Sequence, residues 1–401
     1  MKNNTNTFGW VDFNKKDREI ALKLIEDNKT QGSIDELGLG TIRDAFSDLF
    51  FPGITTIQTR ARYFLLVPYW MKVVANKKPD SPEKYQQWYL EKEKNTSKQI
   101  FAFCNEEVGI GIFGPDVFNT KRWLVRSIQE TYWSGIWKFG FLRNNKGANR
   151  LTVSSCARLF VKQNNASSLE VNSDDARLYP GNDNDKNNYE FISVDDELFN
   201  IENELENLNQ SNDIKLSKKE ALFLQKTIQR NASGSLLADV VDSKSSFYKI
   251  TDFDSINENK YPFIKEKLLM AKEYRKLSIF LGKRFSHLIK RKVEEWDVFP
   301  IINRELIEKI FDLENMGHRE KLKTFVLKAI DFINIKDGED LDALICEREK
   351  KLKGNRAKTL LFKNDDTLSD EAPITFDYNY RLDRVQVLIA DIREGLGLKN
   401  D

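Results

Sequence analysis

The 401-residue chain predicts a mainly α, multi-helical protein of two-part architecture, with a small winged-helix-like β-hairpin in its N-terminal half. Three observations point there. Gly and Pro are scarce, at 19 and 9 residues, while Lys, Glu and Leu abound, and that balance favours helix. Apolar side chains recur at three- and four-residue spacing in most segments, the period of a helix with one buried face. Apolar residues make up 40% of the chain and aromatics 11%, including 27 Phe and 7 Trp, enough to bury a core. A chain of this length packs as more than one unit. Composition suggests an N-terminal helical domain over 1–162, a polar linker or insertion over 163–212 and a C-terminal helical domain over 213–401.

The elements follow in order. A helix is expected over 11–28, with Val11, Ile20, Leu24 and Ile25 on one face. The next starts at Thr41, where Asp44 three residues on gives a capping-box-like start. Ile42, Ala45, Phe46, Leu49 and Phe50 form its apolar stripe, and Pro52-Gly53 stops it. A second helix of this pair is expected from Thr55 to Val67, bent or ended by Pro68. A charged, solvated helix is expected within 76–99 and a helix over 121–139. Phe141 to Arg143 and Arg150 to Ser155, joined through Asn144–Asn149, read as the hairpin. Residues 163–190, rich in Asn, Asp and Ser, read as loop. Helical patterns dominate after Leu216. Ser217 with Glu220 is a capping box, a short helix passes through Leu236, Leu237 and Val240, and 262–296 is helical with a break near Gly282. Two helices divided near Gly317 fill 303–333, and the last, over 380–394, buries Leu382, Val385, Leu388, Ile389 and Ile392.

Charge and motifs exclude more than they select. The 63 basic and 62 acidic residues leave a net charge of +1, so any attraction for nucleic acid must be local. Cys104, Cys156 and Cys346 are odd in number and lack metal-ligand spacing, which fits a reducing cytoplasm. No apolar run reaches the length of a membrane helix, so no membrane partner is expected. Gly109-Ile-Gly111-Ile-Phe-Gly114 fits a dinucleotide fingerprint, but Pro115 and Asp116 follow the third glycine and no alternating strands and helices surround it. A glycine-rich turn is the better reading. No P-loop pattern occurs. His287 and His318 have no histidine partner at ligand spacing. Asp80 with Glu91 and Lys94 hints at a nuclease core with the wrong spacing, and Asp183 with Asp185 starts a calcium loop that lacks its glycine and glutamate. No catalytic, cofactor or metal residues are therefore expected.

FGWVDF at 8–13, ELGLGTIRDAFSDLFFPGITTIQTRARYFLLVPYW at 36–70, ETYWSGIWKFGFLR at 130–143, SKKEALFLQKTI with NASGSLLADVV, and YNYRLDRVQVLIADIREGL at 378–396 stand out as patches. Together they resemble an uncharacterised bacterial family, a domain of unknown function. The resemblance implies a place in phage-defence gene neighbourhoods, near helicases and nucleases. It carries over no catalytic residues.

The helix pair at 41–67 is the sharpest candidate for DNA binding. Read as a helix-turn-helix, its second helix would present Thr56, Gln58, Thr59, Arg60 and Arg62 to phosphates and base edges. Read as core, the same pair would tie Arg60 or Arg62 internally to Asp44 or Asp48. The helix and hairpin beyond it add a local basic excess, with Arg143, Lys146 and Arg150 placed to meet a phosphate backbone. The expectation is a non-catalytic component of a bacterial anti-phage defence system that binds DNA or holds a helicase or nuclease partner. The alternatives are a metal-dependent nuclease and a purely structural interaction module.

Overall fold

The computed structural model describes residues 35–103, 124, 126–145, 151–172, 192–195, 198, 205, 214–242, 244–317, 319–362, 368 and 371–398. The helix expected over 11–28, the glycine-rich turn at 109–114, Asp183, Asp185 and His318 lie outside them. The architecture is mainly α with one small antiparallel sheet, as the composition predicts. Two compact units divide the chain, Met1–Arg43 with Leu269–Tyr378, and Asp44–Leu268 with Asn379–Asp401.

In the larger unit, helix α1 (Gly40–Phe50), which starts in the other unit, contributes Phe46 and Phe50. Their rings join Phe253 and Tyr380 in one buried aromatic cluster. Helix α2 spans Tyr63–Asn76 and is buried on nearly every side, as a helix apolar all round must be. Pro68 lies inside it without ending it. Helix α3 (Pro82–Phe103) was expected to be solvated, but Tyr85, Tyr89, Glu93 and Ile100 are fully buried. These positions recur at helical spacing, so one face is core and the charges occupy the rest. Helix α4 covers Ile128–Lys138, opened by a capping box between Ser127 and Glu130, a shorter span than the 121–139 expected.

The sheet corrects the predicted hairpin. Strand β1 (Leu142–Asn144) lies where expected, but its antiparallel partner is β2 (Ile192–Val194), with Arg143 opposite Ser193. The segment expected to return as the second strand instead enters helix α5 (Val153–Asn172). Thr152 Oγ1 accepts from the Ser155 amide at 3.1 Å and so caps the start of that helix. The loop expected from 163 is helical as far as Asn172.

Helix α6 (Lys218–Asn231) carries the predicted capping box in full, and α7 covers Leu236–Val240. Helix α8 (Lys265–Leu288) leads out of this unit into the other.

The smaller unit is built on α8 and helices α9 (Arg304–Ile310), α10 (Glu320–Ile335), α11 (Gly338–Lys353) and α12 (Lys358–Leu361). Two expectations change here. The cap of α1 is Asp35, whose carboxylate accepts from the Leu39 amide at 2.7 Å and the Gly40 amide at 3.0 Å, rather than Thr41. Helix α8 also runs through Gly282 unbroken. A Cβ at that position would meet the Phe376 amide nitrogen at 3.0 Å, so the glycine serves close backbone approach. Gly317 does divide α9 from α10, at φ +59°. The buried Glu349 carboxylate caps α12, accepting from the Lys358 and Thr359 amides at 2.7 and 3.0 Å.

The final helix, α13 (Leu382–Gly395), returns to the larger unit and buries the five apolar residues predicted for it.

Candidate functional site

The connection between α1 and α2 is the structural surprise and the origin of the site. Residues 51–62 form turns and bends, and α2 starts at Tyr63 rather than Thr55. The reason is where the backbone N–H groups go, since each needs a partner. The Thr55 amide donates to Gln58 Oε1 at 3.0 Å. The Thr59 and Arg60 amides donate to the Tyr132 hydroxyl at 2.9 and 3.0 Å, and that hydroxyl donates to the Arg60 carbonyl at 2.8 Å. The Ala61 amide donates to Asp391 Oδ2 at 2.7 Å. Side chains from α4 and α13 thus take the donors that a helical turn would use, and the segment stays non-helical. Burial pushes the Tyr132 hydroxyl up to about 12, so it remains a neutral donor and acceptor.

This arrangement corrects the helix-turn-helix reading. Gln58 is buried, its amide nitrogen donating to the Gly53 carbonyl at 3.1 Å. Thr59 is half-buried. Arg60 pairs with Asp391 at 2.9 Å, with both side chains largely enclosed. Burial pushes the Asp391 carboxyl up, against the pull of the Arg60 guanidinium. Arg62 is fully buried and pairs with Glu220 at 3.0 Å. Glu220 also accepts from the Ser217 amide at 2.7 Å, which ties the pair to the capping box of α6. Both arginines are internal, as the core reading of the pair expects, but with partners far away in sequence. Asp44 and Asp48 pair instead with Arg381, at 3.5 and 2.6 Å.

What the loop presents outward is a groove. It measures about 1030 Å³ and is walled by the loop at Gly53–Ile57, by α4 and by β1. The loop lies tight on α4: Gly53 has φ +84°, and a Cβ there would come within 3.0 Å of Gly135 Cα. A Cβ on Gly135 would meet the Phe64 ring at 2.3 Å. Ser134 Oγ donates to the Gly53 carbonyl at 3.1 Å. Arg126, Lys138 and Arg143 supply positive charge along the groove, with Asp48 and Glu130 as its acids. Arg126 and Lys138 are exposed. The Arg143 side chain is 58% exposed and reaches buried Asp195 at 3.5 Å, a carboxylate it shares with Arg230. Arg381, also on the wall, is held by Asp48 and the Ile54 carbonyl.

Of the predicted binding residues, Thr56 and Arg143 line this groove, while Gln58, Thr59 and Arg60 sit behind the loop in a crevice of about 10 Å³. Lys146 and Arg150 lie outside the described residues. Arg126 and Lys138 fall within the 121–139 segment expected to be helical, and their convergence with Thr56 becomes visible only in three dimensions. Asp80, one of the nuclease candidates, is exposed, and its bond to Lys84 holds its carboxyl below the ordinary value. Among the described residues no group of three or more His, Cys, Asp and Glu side chains could hold a metal ion. No helix among them is long and apolar enough to cross a membrane.

Fold and groove together define a mainly helical protein with a small two-stranded sheet and a cation-lined cleft. Residues 5–164 match the model of a family of unknown function, DUF6361. That span includes the loop, α4 and β1. No curated protein and no solved structure matches the chain.

Proposed function

We propose that this protein is a non-catalytic nucleic-acid-binding component of a bacterial defence system, and that its groove takes the phosphodiester backbone. The observation that carries the binding part is the convergence of Arg126, Lys138 and Arg143 on one cleft with Thr56, Ser134 and Asn144. Phosphate oxygens are met by such cations and by hydroxyl and amide groups. Arg126 and Lys138 make no ion pair among the described residues, so counterions rather than carboxylates neutralise them, and a polyanion would release those counterions. The defence setting, with a helicase or nuclease as partner, rests on the resemblance alone, and a cytoplasmic location rests on the odd, unpatterned cysteines.

The test is a fluorescence-anisotropy titration of the purified chain with labelled DNA at low and physiological salt. The reading expects binding that weakens with salt and disappears in the triple variant Arg126→Ala, Lys138→Ala, Arg143→Ala, whose thermal melt stays unchanged. Equal binding by the triple variant would sink it. Stable co-purification with a helicase or nuclease, without DNA binding, would shift the function to an adaptor.

A further inference from the structure

We infer that the groove selects single-stranded nucleic acid over duplex, with Trp137 offering its indole to an unstacked base. The inference rests on the groove being a nucleic-acid site and adds its specificity.

Shape comes first. Reading a duplex through base edges calls for an element that projects into a groove about 12 Å wide. The segment expected to project is withdrawn: Gln58 and Arg62 are buried, and Arg60 is committed to Asp391. What faces outward is a concavity of about 1030 Å³. A concavity of that size admits a strand whose bases are splayed apart.

The wall chemistry agrees. Cations track a backbone while an aromatic face takes bases in sequence-tolerant single-strand sites. Here Arg126, Lys138 and Arg143 share the groove with Trp137, which is half-buried.

The experiment compares a short labelled oligothymidine with its oligo(dT)·oligo(dA) duplex in the same anisotropy assay, using wild-type protein, Trp137→Leu and Trp137→Phe, each with a thermal melt. Single-strand binding is expected to exceed duplex binding, to fall about five- to a hundredfold in Trp137→Leu and to change far less in Trp137→Phe, which keeps a ring. If Trp137→Leu does not fold, the readout is quenching of tryptophan fluorescence by oligothymidine, present in wild type and lost in Trp137→Phe. Equal affinity for both forms, or quenching that survives in Trp137→Phe, overturns the single-strand inference. In that case salt-sensitive binding that the triple arginine–lysine variant abolishes would leave the groove itself standing. No binding of either form overturns both.

Discussion

Arg62 is the residue that separates a core from an interface. Its guanidinium and the Glu220 carboxylate are both fully enclosed. Removing one partner of such a pair strands the other charge away from water, which costs about 3–5 kcal/mol. Arg62→Ala should therefore lose about that much stability in urea unfolding, where a surface DNA-contacting arginine would lose almost none. Tyr132 makes a second test. Tyr132→Phe leaves the Thr59 and Arg60 amides without their acceptor and should cost about 1–3 kcal/mol, measured the same way. The third is His287, whose ring stacks on Trp296 with centroids 3.5 Å apart. Burial, helped by the Arg284 and Lys290 charges, lowers its proton affinity. A depressed imidazole contributes stability above its ordinary value and loses it as pH falls through the folded value. The melting temperature should thus drop as pH goes from neutral into the mildly acidic range, and His287→Gln should flatten that part of the profile.

At the level of elements, the sequence was most legible where local chemistry decides the outcome. The Ser217–Glu220 capping box formed as written, and the last helix buried its predicted stripe. Such signals need only neighbours along the chain. The loop at 51–62 was illegible for the opposite reason. Its amides are taken by Tyr132 and Asp391, more than 70 and 300 positions away, and no local pattern announces them. Strand β2 was missed likewise, because its pairing with β1 spans some 50 residues. The candidate site was half legible: Thr56 and Arg143 were named from sequence, while Gln58 and Arg62 are buried, Arg60 is held by Asp391 and Thr59 is half-buried outside the groove. Gly135 tests the loop's packing as an element. Because an added Cβ would fall 2.3 Å from the Phe64 ring, Gly135→Ala must push the ring or the loop aside, and overpacking of this kind costs about 1–3 kcal/mol. If its urea midpoint equals that of wild type, the loop does not lie on α4 as described.

For the whole molecule the governing fact is a net charge of +1 spread over 125 acidic and basic side chains. A chain so balanced exerts little long-range pull on a polyanion, and an attraction it does show must arise where like charges gather. That condition makes the salt dependence of binding a count of the contacts involved. Three groove cations, Arg126, Lys138 and Arg143, correspond on a single strand to a slope of log K against log salt near about −2. Affinity should then fall by roughly twentyfold when monovalent salt is raised fourfold. Each single alanine substitution among the three should make the slope shallower by about 0.7. A slope several times steeper, unchanged by those substitutions, would mean that the polyanion lies on another basic surface and that the groove serves a different ligand.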